Sequence, residues 1–145
     1  MKYRLEFTID KPRSEVWQAF TDPEKMKLWQ PALANIEQIT GTPGQAGSES
    51  RLNFKENERE FSLIEKITQR QEPETLSQVY ENSFAVNTVK NIFLPQGDSQ
   101  TLWITETEYK FKTLLMKIIG PVYRKNFTAR TQQDMNRFKE LVEKE

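Results

Sequence analysis

From Leu114 to Glu145 apolar residues return at three- and four-residue steps: Leu114, Leu115, Ile118, Ile119, Val122, Phe127, Met135, Phe138, Leu141 and Val142. That period predicts one long amphipathic helix at the end of the chain. An unbroken helix of this length would run about 45 Å, whereas a compact domain of 145 residues is only about 38 Å across. The rod is therefore expected to break. Gly120-Pro121 supplies the place, because proline removes a helical hydrogen bond and clashes with the preceding turn. The apolar stripe is also uneven, fading through Thr128, Arg130, Thr131 and Gln132 before it resumes at Met135. Either something other than a dry core lies beneath that stretch, or Arg130 and its neighbours form a solvated face.

The rest of the chain reads as wrapping for this helix. Tyr3, Leu5, Phe7 and Ile9 alternate with polar residues, as in a strand with one buried face. Two short helices follow. Pro12 opens the first, with Val16, Trp17, Ala19 and Phe20 on its apolar side, and Thr21-Asp22-Pro23 opens the second, which ends at Trp29 before Pro31. From Ile36 the chain meanders: strands are expected at Ile36–Thr40, Arg51–Lys55, Arg59–Gln71, Leu76–Asn82, Phe84–Leu94 and Thr101–Phe111, with a tight turn at Pro95–Asp98. The expected architecture is α+β, about seven antiparallel strands curled around a long C-terminal helix, with two short helices after the first strand. One domain spanning 1–145 is expected.

Composition removes several chemistries. The chain has no cysteine, which excludes disulfides, thiolate metal sites and cysteine nucleophiles, and no histidine, which removes the commonest general base and metal ligand. No metal and no cofactor are expected. Lys plus Arg and Asp plus Glu both number 21, and the basic excess of the closing third is small, so no nucleic-acid partner is expected. The longest apolar run, Leu114 to Tyr123, is interrupted by Lys117 and Gly-Pro and is far short of the roughly 20 residues of a transmembrane helix. A soluble cytoplasmic protein, monomer or homodimer, is the expectation.

The order of elements resembles the helix-grip fold of the START-like, or SRPBCC, superfamily, close to its polyketide cyclase/dehydrase-like branch. The motifs that carry the likeness are Thr8-Ile9-Asp10-Lys11-Pro12 with Val16-Trp17, the segment from Thr21-Asp22-Pro23 to Trp29, the loop from Gly41 to Gly47, and Gly97 with Thr101. These are cap, turn and packing signals. They transfer a shape and leave the reaction open. The resemblance implies an internal cavity holding an apolar or amphipathic small molecule such as a lipid, sterol or polyketide.

Charges fix which strand faces point inward. Glu106, Glu108 and Lys110 put Trp103, Thr105, Thr107, Tyr109 and Phe111 inside. Lys90 leaves Asn87, Val89, Asn91 and Phe93 inside. Glu81 does the same for Leu76, Gln78 and Tyr80, and Lys66 with Arg70 for Phe61, Leu63, Glu65 and Ile67. The candidate ligand wall is therefore Leu63, Glu65, Gln78, Tyr80, Asn87, Val89, Asn91, Trp103, Thr105, Thr107 and Tyr109. Ile118, Ile119 and Val122 are expected to roof it from the helix. So many inward polar groups suit a ligand-filled cavity, or a set of amides bonded to one another or to buried water.

Binding or transport of a hydrophobic molecule is the leading expectation. The alternative is a cyclase, aromatase or dehydratase in which Glu65 and Tyr80 or Tyr109 move protons. A carboxylate beside Leu63 and Ile67 would be desolvated and its pKa raised; equally, Glu65 could be a structural carboxylate paired with Arg51, Arg124 or Arg130. A third reading makes Leu114–Tyr123 an exposed contact surface.

Overall fold

Charged and apolar residues alternate from Lys2 to Ile9, and this segment forms the first strand, β1. The computed structural model describes residues 1–145. Pro12 precedes helix α1 (Arg13–Phe20), and Asp22 caps α2 (Pro23–Trp29), its carboxylate accepting from the Glu24 amide at 2.9 Å. Then come β2 (Leu33–Thr40), β3 (Glu49–Glu56), β4 (Arg59–Gln71), β5 (Thr75–Glu81), β6 (Ala85–Gln96) and β7 (Gln100–Phe111). β6 runs through Pro95, opposite Thr101, so the last turn is tighter than the sequence suggests and pivots on Gly97 at φ 68°.

All pairings are antiparallel, and β1 joins β7, giving one seven-stranded sheet in the order β1-β7-β6-β5-β4-β3-β2. Because β1 and β2 lie at opposite edges, α1 and α2 carry the chain across the face of the sheet. The expected helix-grip architecture is what the chain adopts.

The closing segment breaks where expected, into α3 (Leu114–Ile119), a 3-10 turn (Gly120–Tyr123) and α4 (Arg124–Glu143). Glycine is required at 120 by close approach, since a Cβ there would lie 2.4 Å from the Phe111 ring. α4 packs against β1, α1 and α2. Its Met135, Phe138 and Val142 enter a core with Val16, Trp17, Phe20, Trp29, Phe93 and Trp103. That core fills one end of the grip, and the other end is left for the cavity.

Candidate ligand cavity

Between α4 and the inner face of the sheet lies a cavity of about 950 Å³ that opens to solvent, within the roughly 300–1,000 Å³ common for ligand sites. Strand parity places its wall. Leu63 and Glu65 come from β4, Gln78 and Tyr80 from β5, Asn87, Val89 and Asn91 from β6, and Trp103, Thr105 and Tyr109 from β7. Thr107 shares their parity and is buried, but it does not reach the wall.

The expected roof is displaced. Ile118 and Val122 are 65% and 77% exposed, and neither they nor the half-buried Ile119 border the cavity. The wide apolar band from Leu114 to Tyr123 suggested an inward surface, but within it only Gly120 is buried, set closely against the Phe111 ring. The roof is instead the first half of α4, through Phe127, Arg130, Thr131 and Asp134. This is the stretch where the apolar stripe fades, so the fading marked the cavity and the band before it did not. Met26 and Trp29 of α2 and Pro43, Gly44 and Gln45 of the β2–β3 loop also line the cavity. Parity says nothing about helices and loops, and these residues carried no separate signal.

A belt of polar side chains crosses the inner face diagonally. The Trp103 Nε1–H donates to Asn91 Oδ1 at 3.0 Å, Asn91 Nδ2 to Gln78 Oε1 at 3.2 Å, and Gln78 Nε2 to Glu65 Oε2 at 3.2 Å. Each step links a residue to the diagonal neighbour of its direct cross-strand partner: Gln78 pairs in register with Val89, and Asn91 with Thr105. An indole N–H can only donate, so it orients Asn91, Asn91 orients Gln78, and a donor is delivered to Glu65. Glu65 thus has none of the arginine partners considered for it. Arg51 pairs with Glu37, Arg130 with Glu56, and Arg124 Nη2 donates to the Lys2 carbonyl.

Burial pushes the Glu65 carboxyl above its ordinary range, while hydrogen bonds from Tyr80 and Gln78 draw it partly back. Burial, then the neighbouring Glu65 charge, raises the Tyr80 hydroxyl well above its usual value, which keeps it a neutral donor. Burial and the stacked Tyr3 raise Tyr109 likewise. Trp29 Nε1 and Asn87 Oδ1, both of wall residues, are buried without a protein partner. No group of three or more acidic side chains stands close enough to cage a metal ion.

At the cavity edge Arg130 Nη2 donates to Glu56 Oε2 at 2.7 Å, tying α4 to the tip of the β3–β4 hairpin. Asp134 stands nearby, its carboxyl held up at about 6 by burial against the pull of Arg137 and Arg130. A carboxyl raised on folding opposes stability once ionised, so the penalty is absent near about pH 4 and complete above about pH 6. Asp134→Asn removes it. Urea unfolding is expected to show the variant gaining about 1–2 kcal/mol on the wild type between those two pH values, a figure reduced for screening at a side chain 28% exposed.

The sequence profile of the polyketide cyclase/dehydrase and lipid transport family matches residues 1–143. The chain belongs to that family. Membership supports hydrophobic-ligand binding at a coarse level. Solved structures with the same fold include TTHA0849 from Thermus thermophilus, at 17% identity and a TM-score of 0.78, covering 98% of this chain and 97% of that one. CV1439 from Chromobacterium violaceum aligns at 15% identity and a TM-score of 0.77, covering 98% and 96%. Norcoclaurine synthase from Thalictrum flavum, in complex with dopamine and hydroxybenzaldehyde, aligns at 16% identity and a TM-score of 0.72, covering 98% and 86%. No curated protein matches the chain by sequence. No helix is long and apolar enough to cross a membrane.

Proposed function

We propose that the protein binds or carries an amphipathic small molecule of lipid, sterol or polyketide size in the cavity between α4 and the sheet. The observation that carries this reading is a space of about 950 Å³ walled by aliphatic and aromatic groups but crossed by an ordered polar belt. Apolar walls would grip the hydrophobic body. Trp29 Nε1 and Asn87 Oδ1, a donor and an acceptor without protein partners, suit polar groups on the ligand, which favours an amphipathic molecule over a plain hydrocarbon.

A second reading rests on Glu65. A buried carboxyl of raised pKa, with Tyr80 as direct cross-strand partner in the same wall, supports proton transfer to or from a bound substrate. One experiment addresses both readings. Native mass spectrometry of the purified protein, followed by titration with oleate and with a sterol, is expected to show a bound adduct. Val89→Trp, which crowds the wall, is expected to weaken binding about tenfold, and Glu65→Gln to retain it. Recovery of ligand with both mass and chromatographic retention unchanged supports carriage. A change in either that stops in Glu65→Gln supports catalysis, and absence of any adduct in the wild type sinks both.

A further inference from the structure

The exposed band that does not roof the cavity has a chemistry of its own. Leu114, Leu115, Ile118 and Val122 are 76%, 64%, 65% and 77% exposed; the three in α3 fall at helical spacing within an arc of about 100°, and Val122 follows in the 3-10 turn. Tyr123 is exposed beside them. So is Phe84, whose carbonyl accepts from the Lys112 amide just before α3. Contiguous apolar surface of this kind marks a contact site.

Its electrical setting is one-sided. Between Tyr109 and Gln133 the sequence places six cations, Lys110, Lys112, Lys117, Arg124, Lys125 and Arg130, and no carboxylate, although the whole chain has 21 of each sign. Three of the six are paired with carboxylates from elsewhere in the chain: Lys112 with Glu81, Lys110 with Glu108, which also meets Lys2, and Arg130 with Glu56. Lys117, Arg124 and Lys125 form no ion pair; all three are exposed, Lys117 within α3 and the other two directly after the 3-10 turn. The small excess of the closing third concealed this, because carboxylates at Glu106, Glu108, Asp134 and Glu140 bracket the segment.

We propose that α3 and the 3-10 turn after it form a docking surface for an anionic phospholipid bilayer. Leu114, Leu115, Ile118 and Val122 enter the boundary between headgroups and acyl chains, and Lys117, Arg124 and Lys125 meet lipid phosphates and carboxylates. A second copy of the chain fits the surface less well. A two-fold interface sets a patch against itself, so these cations would face their own counterparts with no carboxylate between them. The surface reaches the cavity roof only through intervening side chains: Gly120 rests on Phe111, and Phe111 packs at 6.2 Å on Phe127 of the roof. Docking does not depend on what the cavity holds.

Co-sedimentation tests this with vesicles of phosphatidylcholine alone and of phosphatidylcholine with phosphatidylserine. The wild type is expected to pellet with the anionic vesicles, to do so much less with the neutral ones, and to be released by added salt. Ile118→Glu/Val122→Glu and, separately, Lys117→Gln/Lys125→Gln are each expected to lower partitioning about tenfold or more. All four side chains are exposed, so circular dichroism of the variants is expected to match the wild type. Wild type remaining in the supernatant with phosphatidylserine vesicles, or pelleting that neither pair of substitutions reduces, would overturn the proposal. So would a dimer in sedimentation velocity that Ile118→Glu dissolves while vesicles leave the wild type unbound.

Discussion

Phe138→Ala is expected to destabilise the protein by about 3–5 kcal/mol, the largest loss for any single truncation in the closing helix. Phe138 is fully buried, with Phe20, Trp29 and Trp103 rings at 5.6, 5.3 and 5.1 Å in edge-on or steeply inclined arrangements. Truncation therefore forfeits the transfer energy of a whole ring and three aromatic contacts of about 0.5–1.5 kcal/mol each. These rings come from α1, α2 and β7, elements that cannot close together around the gap. A drop in Tm of roughly 10 °C is expected, read by calorimetry or by circular dichroism. Ile118→Ala, one more apolar residue of the same stripe, is the comparison. At 65% exposure it is expected to change stability by less than about 0.5 kcal/mol. Near-equal losses for the two would mean that the closing segment is buried evenly.

That contrast also shows what the sequence could and could not reveal. Strand positions and faces were legible because one charged residue in a strand sets the parity of all the others, and Glu65, Gln78, Asn91 and Trp103 all face the same way as a result. The break at Gly120-Pro121 was legible because proline cannot donate within a helix. The direction of α3 was not. Hydrophobic period alone gives a stripe without saying which way it faces, and the glycine that decides it does so through contact with Phe111, 9 positions earlier in the sequence. The contributions of Trp29, Gln45 and Asp134 to the cavity depend on how helices and loops are carried over the sheet, which no local pattern encodes.

Asn91→Leu is expected to cost about 2–5 kcal/mol although it adds apolar bulk to the interior. Asn91 is 4% exposed and serves two neighbours, accepting from Trp103 Nε1 and donating to Gln78 Oε1. Leucine leaves both groups buried and unpaired, at about 1–3 kcal/mol each. Trp103→Phe removes the first orphan by removing the N–H, so the double variant is expected to lose about 1–2 kcal/mol less than the sum of the single losses, measured in a double-mutant cycle by urea unfolding. Strict additivity would mean that the belt acts as separate contacts. The effect should reach Glu65 as well. Without Asn91 the Gln78 amide loses the donor that holds its oxygen away from Glu65, and rotation of that amide replaces the donor facing Glu65 with an oxygen, which favours the protonated carboxyl. Carboxyl NMR shifts are expected to place Glu65 higher in Asn91→Leu than in the wild type. A Glu65 titration that does not move would mean that its proton affinity is set by burial and the Tyr80 hydroxyl, and that the belt holds the sheet together without governing the acid at its end.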